Sequence, residues 1–308
     1  MGDDAAPDVT IATVTWNSEP LLSDCLASLP AGLQGVASSE LIVVDNASTD
    51  ATVQLARRLS PGATVIEMGR NAGYSAGVNA AVEASRSRAG VLIINPDVRL
   101  APGAVAPLLR AVEAGQSERV GIAVPRLVDG SGQLAYSLRR EPTALRAWGE
   151  ALLGGLRAGR VGHLGMMVID PRAYDVPGTY EWASGAAMLI SHRCLEAVGP
   201  WDQSFFLYDE EIDFCLRARD AGFVLQYVPD SMTVHLGGDS HRSPRLWSMC
   251  MVNDLRLFRR RNRPLKSASF YGALVVGEAL RAALGREVHR AGLAALLLPS
   301  RRPTELRR

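Results

Sequence analysis

Leu41-Ile-Val-Val-Asp-Asn-Ala-Ser-Thr-Asp50 is a short apolar run that ends on a carboxylate and passes directly into residues that cap helices. Residues 41–44 read as a buried strand and 48–59 as the helix that follows. The alternation continues on both sides. Upstream, residues 9–15 read as a strand and 18–29 as a helix, with Leu21, Leu22, Cys25, Leu26 and Leu29 on one face. Downstream, 63–67 reads as a short strand, 75–86 as a third helix and 91–94 as a fourth strand. Strands and helices at this spacing predict parallel βαβ units. The expected fold is therefore an α/β domain with a ligand crevice outside the carboxyl ends of its strands.

Near residue 120 the pattern changes. Residues 120–124, 185–190, 224–228 and 232–235 are strand-like, whereas 129–180 is frequent in Pro and Gly and holds no clean period. That stretch reads as an insertion around the site. Residues 245–308 are helical in tendency. The whole chain, 308 residues and 33.0 kDa, suits one large domain or two modest ones. With 47% apolar and 21% charged residues it is globular in composition. Cys25, Cys194, Cys215 and Cys250 lie far apart with no C-x-x-C pair, which disfavours a zinc finger, a thioredoxin motif and a disulfide framework. A reducing cytoplasm is the easier reading. The acidic start, residues 1–8, has no apolar h-region, which argues against a secretory signal. No apolar run reaches the ~18 residues of a spanning helix.

No Walker A run and no G-x-G-x-x-G follows a strand, so a P-loop kinase and a standard NAD-binding enzyme are disfavoured. Carboxylates at strand ends stand out instead. Asp45 either closes a βα turn or accepts the imide N–H of a pyrimidine. Asn95-Pro-Asp97 is either a plain Asn-Pro turn or places a carboxylate to hold a divalent cation beside a diphosphate. Tyr208-Asp-Glu-Glu-Ile-Asp213 places four carboxylates in five residues. A helix dipole accounts for one or two of them. Repulsion and partial burial of the rest would raise a pKa, which suits a general base. His235, before Gly237-Gly238, is a packed histidine or a metal ligand.

Taken in order, these pieces resemble a family-2 glycosyltransferase of the GT-A fold over roughly residues 9–240. The resemblance is carried by Val14-Thr-Trp-Asn17, Val44-Asp-Asn-Ala-Ser-Thr-Asp50, Asn71-Ala-Gly-Tyr-Ser-Ala-Gly-Val-Asn79 and Ile94-Asn-Pro-Asp97. It continues through Trp182-Ala-Ser-Gly-Ala-Ala-Met-Leu-Ile190 and Gly199-Pro-Trp-Asp-Gln-Ser-Phe-Phe-Leu-Tyr-Asp-Glu-Glu-Ile-Asp213. It closes with Cys215-Leu-Arg217, Gly222 and His235-Leu-Gly-Gly238. The Phe-Phe-Leu-Tyr and Asn-Pro-Asp stretches look like the rhamnosyltransferase-like branch, which extends lipid-linked or cell-wall glycans.

The resemblance implies a Rossmann-like mixed sheet flanked by helices, in a domain over 1–241. Its nucleotide half would span about 9–125 and its acceptor half about 126–241, followed by a basic helical extension over 242–308. It also implies roles. Asp45 would pair with the base, and Thr15, Trp16 and Asn17 would line the nucleoside pocket. Asn71, Gly73, Asn79 and Asn95 would shape the nucleotide loop. Asp97 and His235 would hold Mg²⁺ or Mn²⁺, and Trp182, Ser184 and Gly185 would face the acceptor. Glu211 would be the catalytic base, supported by Glu210 and Asp213. The chain departs from the family pattern twice. Asn95 stands where the first Asp of Asp-x-Asp is usual, and Glu211 stands where the base is usually Asp, so Asp209 and Glu210 stay open as bases. The implied activity is inverting transfer of a sugar, L-rhamnose from dTDP-rhamnose by preference, to a glycan or polyprenyl-diphosphate-linked acceptor. Two rivals are a sugar-1-phosphate nucleotidyltransferase, which would want an Arg/Lys-bearing Gly loop where Trp16-Asn-Ser-Glu19 stands, and a non-catalytic glycan-binding scaffold, which should have lost the acids.

Charge is unevenly distributed. Residues 1–241 carry 18 basic and 28 acidic residues, and residues 242–308 carry 15 and 4. In the second part Trp247, Cys250, Met251, Leu255 and Phe258 share a helical face that Asp254 interrupts. Residues 256–266 hold six cations. Such a tail suits an anionic membrane surface at the inner face of the cell membrane, docking on the acidic body, or a homodimer interface. The acidic body and the lack of a binding motif argue against nucleic acid.

Overall fold

The computed structural model describes residues 6–114, 119–237 and 243–306. Gly238, the 241/242 boundary and most of the acidic N-terminus lie outside the described residues. The strands are β1 (Val9–Thr15), β2 (Ser39–Asp45), β3 (Thr64–Glu67), β4 (Gly90–Ile94), β5 (Val98–Leu100), β6 (Val120–Val128), β7 (Leu138–Arg139), β8 (Gly178–Tyr180), β9 (Trp182–Ala183), β10 (Ala187–Ser191) and β11 (Val224–His235). The helices are α1 (Glu19–Gly32), α2 (Thr52–Leu59), α3 (Tyr74–Ala84), α4 (Val105–Ala114), α5 (Ala144–Leu153), α6 (Gly155–Arg160), α7 (His192–Val198), α8 (Glu210–Asp220), α9 (Pro244–Arg261), α10 (Pro264–Ala283) and α11 (Glu287–Leu297).

The main sheet runs β3-β2-β1-β4-β10-β6-β11-β5, with β8 added on β11. Its first half is parallel, as the βαβ spacing predicts. The β1–β2 register sets Thr15 beside Asp45. β10 enters antiparallel between β4 and β6, which makes the sheet mixed. β1 is buried on both faces. Val9 and Ile11 join α1, α2 and α4 in one layer, while Ala12 and Val14 join α3, α7 and α8 in the other. This two-sided burial is why the early strands read as continuous apolar runs.

Three expectations need correction. The second helix starts at Thr52 and not at residue 48, because the side chains of 45–50 bond across to β1 and its following loop. The strand pieces 224–228 and 232–235 form one strand, β11, with a register shift between Val228 and Met232. Residues 129–180 are not an irregular insertion, since they contain α5 and α6. Ala147 and Ala151 of α5 share a core with Met251, Leu255, Phe258, Phe270, Ala273 and Leu296 from the C-terminal helices. Phe258 and Phe270 stack there with centroids 4.0 Å apart. The apolar face of α9 is thus covered by protein. Arg260 pairs with Asp202 at 2.5 Å and Arg261 with Asp220 at 2.5 Å, so part of the basic tail docks on the acidic body.

Candidate functional site

The carboxyl ends of β1 and β2 form one corner of a crevice. Asp45 is buried, and its carboxylate accepts from Thr15 Oγ1 at 3.0 Å, Ser48 N at 2.8 Å and Ser48 Oγ at 2.5 Å. Oδ1 takes two of these bonds and Oδ2 one, which leaves an acceptor site on Oδ2. The turn-closing reading of Asp45 is therefore satisfied without exhausting the group. Asn17 has a left-handed backbone, with φ of 49°. Its N–H donates to Ser48 Oγ at 2.8 Å and its Oδ1 accepts from Thr49 N at 2.8 Å. Asn17 thus holds the loop after β2 against the loop after β1. Trp16 is 52% exposed beside them.

The next wall is residues 71–74. Asn71 Oδ1 accepts from Gly73 N at 3.1 Å, and Asn46 Nδ2 donates to Gly73 O at 3.1 Å. Gly73 has φ of 91°, and a Cβ on it would sit 2.6 Å from Phe206 O, so a side chain has no room. Tyr74 N donates to that same carbonyl at 2.8 Å. Asn79 stands apart from this wall. Its amide donates to Trp201 O at 2.9 Å and accepts from Trp201 N at 2.8 Å. Both ends of the group are taken, so Asn79 ties α3 to the loop before α8.

β5 and the end of β11 pair antiparallel with Val98 opposite His235, which brings Asp97 and His235 together. His235 Nε2 lies 3.3 Å from Asp97 Oδ2, which also accepts from Gly237 N at 2.9 Å. Burial works against the ionised carboxyl of Asp97, but the imidazole and the Gly237 N–H outweigh it and hold the group below its ordinary range. Two octahedral ligands at Mg²⁺ distances stand about 3 Å apart, so the Asp97–His235 spacing fits neighbouring ligands of one ion. Among the described residues no group of three or more His, Cys, Asp or Glu forms a metal cage. A site with two protein ligands fits an ion whose remaining ligands come from a diphosphate and water.

The opposite corner is acidic. Tyr208 and Asp209 are both left-handed, with φ of 71° and 70°, an uncommon conformation for two consecutive residues with side chains. They turn the chain into α8 so that Glu210 and Glu211 open its first turn. Asn253 of α9, fully buried, donates its Nδ2 to Leu207 O at 3.0 Å and to Tyr208 O at 3.1 Å, and so clamps this turn. Asp209 Oδ2, Glu210 Oε2 and Glu211 Oε2 are buried and have no hydrogen-bond partner among the described residues. Burial raises all three carboxyls, and mutual repulsion adds to it for Asp209 and Glu210. Asp254 also raises Asp209, whereas backbone N–H groups and Arg139 pull Glu211 back down. Asp209 and Glu210 are 6% and 4% exposed, and Glu211 is half-buried. Asp213 differs from them. It pairs with Arg217 at 2.7 Å, and Arg217 in turn donates to Val198 O and Pro200 O. Through Arg217, Asp213 ties α8 to the end of α7 and the residues after it.

The two corners are joined through β4 and β10. Asn95 N donates to Ala186 O at 2.9 Å. A Cβ on the preceding Gly185 would lie 3.3 Å from Glu211 Cβ. Tyr74 lies between the corners: its hydroxyl donates to Asn95 Oδ1 at 2.9 Å, and its phenol feels the charges of Glu210, Glu211 and Asp97 after its burial. Ser184 N donates to Ser137 O at 3.0 Å, and Trp182 Nε1 donates to Arg140 O at 3.0 Å. The predicted acceptor segment therefore forms the floor beneath Glu211.

Three contributors escape the sequence reading. Asn253 and Asp254 lie side by side in α9, where Asp254 read as an interruption of an apolar stripe. The polar pair was itself the signal. Burial, then the charges of Glu150, Glu211 and Glu278, push the Asp254 carboxyl up to about 7. Arg139 sits over the Trp182 ring at 5.7 Å, and its charge acts on both Glu150 and Glu211. Nothing in residues 129–182 singles it out.

The glycosyl transferase family 2 model matches residues 10–166, about half of the chain. The chain is 30% identical over 237 residues to the N-acetylglucosaminyl-diphospho-decaprenol L-rhamnosyltransferase of Mycobacterium tuberculosis, covering 73% of this chain and 75% of that one. Among solved structures, mannosyltransferase PcManGT from Pyrobaculum calidifontis, in complex with GDP-Man and Mn²⁺, is similar with a TM-score of 0.55 at 17% identity, over 96% of this chain and 86% of that one. TarS of S. aureus is similar with a TM-score of 0.53 at 16% identity, over 87% of this chain but 42% of that one. The match over residues 10–166 takes in both the β1–β2 corner and the Asn95-Pro-Asp97 turn, and with the relative it decides the matter: the chain belongs to glycosyl transferase family 2 and is a rhamnosyltransferase-like glycosyltransferase of the GT-A fold.

Proposed function

We propose that the enzyme is an inverting, metal-dependent transferase that moves L-rhamnose from dTDP-rhamnose to a hydroxyl of a polyprenyl-diphosphate-linked glycan. The observation that carries the chemistry is Glu211: half-buried, with Oε2 unpartnered among the described residues, beside Gly185 on the acceptor floor. Glu211 takes the proton of the acceptor hydroxyl, whose oxygen bonds to C1 of the sugar. The bond from C1 to the leaving diphosphate breaks, and its electron pair leaves with the phosphate. Attack from the face opposite the leaving group inverts the anomeric centre. Burial disfavours the charged form of Glu211, so its carboxyl gains basicity. When bound, a divalent ion held by Asp97 and His235 supplies Lewis-acid stabilisation of the diphosphate.

Asp45 supports a pyrimidine donor, since its remaining acceptor site suits the N3–H shared by thymine and uracil. The choice of rhamnose and of a lipid-linked acceptor rests on the relative's named activity. Such an acceptor puts the enzyme at a membrane surface, and the basic residues of 245–308 favour an anionic one. The nucleotidyltransferase rival gains no support: the loop after β1 is occupied by Asn17 holding Ser48 and Thr49.

A panel of dTDP- and UDP-sugars, assayed for acceptor-dependent release of nucleoside diphosphate with Mg²⁺ or Mn²⁺ and with chelator, tests this reading. dTDP-rhamnose should be the preferred donor, the chelator should abolish release, and the product should have the opposite anomeric configuration. Preference for a purine donor, or a retained configuration, would overturn it.

A further inference from the structure

α5 ends in an apolar run that the fold leaves uncovered. Leu152, Leu153 and Leu156 are 64%, 42% and 57% exposed. Just before them, α5 lies against α10. Arg281 donates to Ala151 O at 3.3 Å and to Glu150 O at 2.6 Å, and a Cβ on Gly277 would come within 3.2 Å of Ala151 Cα. Leu280 of α10 and Leu284, just past its end, flank Arg281 and are 49% and 76% exposed. Five exposed leucines from segments distant in sequence thus surround one helix contact, a concentration that isolated surface leucines do not produce.

The charge around this corner has one sign in excess. Arg157, Arg160, Arg286 and Arg290 are exposed and form no ion pair among the described residues. Glu287 is the one carboxylate in the stretch from Arg281 to Arg290. Arg260 and Arg261 of the basic tail, by contrast, are already paired with the body. Among the described residues no helix is long and apolar enough to cross a membrane.

We propose that the α5–α6 and α10 corner is a membrane-docking face, with the leucines inserted among acyl chains and the four arginines on the phosphates of anionic lipids. This deepens the reading of a lipid-linked acceptor and rests on it. Glu150, within one turn of the exposed leucines, is half-buried, and its charge acts on Asp254 of the acid cluster. α5 therefore carries both Glu150 and two of the docking leucines, Leu152 and Leu153.

Co-sedimentation with phosphatidylcholine vesicles, with and without phosphatidylglycerol, tests the proposal on the full chain. The wild type should sediment with the anionic vesicles, less so as salt rises. Combined Leu152→Glu, Leu156→Glu and Leu284→Glu should lower partitioning by about tenfold or more. Arg157→Gln with Arg160→Gln should lower it by roughly fivefold per charge on anionic vesicles alone. The leucine variant should keep the wild-type melting temperature and transfer sugar to a water-soluble acceptor analogue at the wild-type rate. Equal sedimentation of leucine variant and wild type would overturn the docking face. So would light scattering that finds a wild-type dimer which the leucine variant breaks, since a second copy would then cover the corner. Loss of docking with the soluble acceptor still used leaves the catalytic reading standing. Docking as expected with no transfer to any lipid-linked acceptor overturns that reading and not the face.

Discussion

The two corners of the crevice are built in opposite ways. At the Asp45 corner, the carboxylate is surrounded by donors from its own neighbourhood, Thr15 and Ser48, and Asn17 closes the loop from the adjacent strand end. At the Glu211 corner, three carboxylate oxygens lack donors among the described residues. What holds that corner comes from far along the chain: Arg139 and Asn253. The first corner is a satisfied binding surface. The second stores electrostatic repulsion and a left-handed turn, the kind of unfavourable local state that persists where surrounding structure enforces it. Binding surfaces can be made locally, whereas a poised base needs the rest of the fold to keep it from relaxing.

If that contrast holds, the largest effect belongs to Glu211. Glu211→Gln should lower transfer by ~10²–10⁴-fold while donor affinity, read by nucleotide titration, changes little. A dead Glu210→Gln beside a normal Glu211→Gln would move the base by one residue. Next comes the clamp. Asn253→Ala removes both bonds to the Leu207–Tyr208 carbonyls and should cost about 10²-fold in kcat, as expected for a small misplacement of a reacting group, with KM for the donor unchanged. A raised donor KM with normal kcat would mean that the clamp serves the nucleotide corner instead. Asp45→Ala should do the reverse. It should weaken dTDP and UDP binding by roughly tenfold, the scale of one hydrogen bond to a charged group, and leave kcat at saturating donor near normal.

The smallest effect is one of pH. Asp254 keeps its proton up to about pH 7 when folded, whereas an unfolded aspartate releases it near 4. Unfolding between those values therefore releases a proton, and this group's contribution to stability falls as pH rises through them. Asp254→Asn should flatten that slope, so that its melting temperature exceeds the wild type's by more at pH 7.5 than at pH 4.5. A difference independent of pH would mean that Asp254 is ionised throughout.

The same contrast explains what could be read from sequence. Asp45, Asn17 and the β1–β2 pair belong to short local patterns, a strand end followed by capping residues, and the expected parallel sheet follows from them. Even so, α2 starts later than the capping pattern suggests, because Ser48 is tied to Asn17 N and to Asp45, while Asp50 accepts from Glu19 N at the start of α1 and from Thr52 N at the start of α2. Glu210 and Glu211 were visible as an improbable density of acids. Asp213 was grouped with them because its partner Arg217, one turn on, attracts notice only once the helix is placed. Asn79 carries a motif position, but its amide is committed to Trp201, 122 residues away. Asn253 is marked only as half of a polar pair in an apolar stripe, and Arg139 has no local pattern, since its partners Trp182 and Glu211 are set by packing. The face of α9 expected to meet lipid was apolar for a different reason, a core shared with α5 and α10.

The clamp on Tyr208 also has a consequence in time. A ribosome releases the acids of 209–211 well before Asn253, which follows Tyr208 by 45 residues. The nascent sheet and its nucleotide corner can assemble as β1 to β11 emerge, since domains form from the N-terminal side during synthesis. The turn that aims Glu211 is fixed later, when α9 leaves the exit tunnel and docks. A stalled chain lacking α9 would therefore have its β1–β2 corner in place before the Asn253 clamp could set the turn into α8, so on the proposed roles donor binding would precede catalysis.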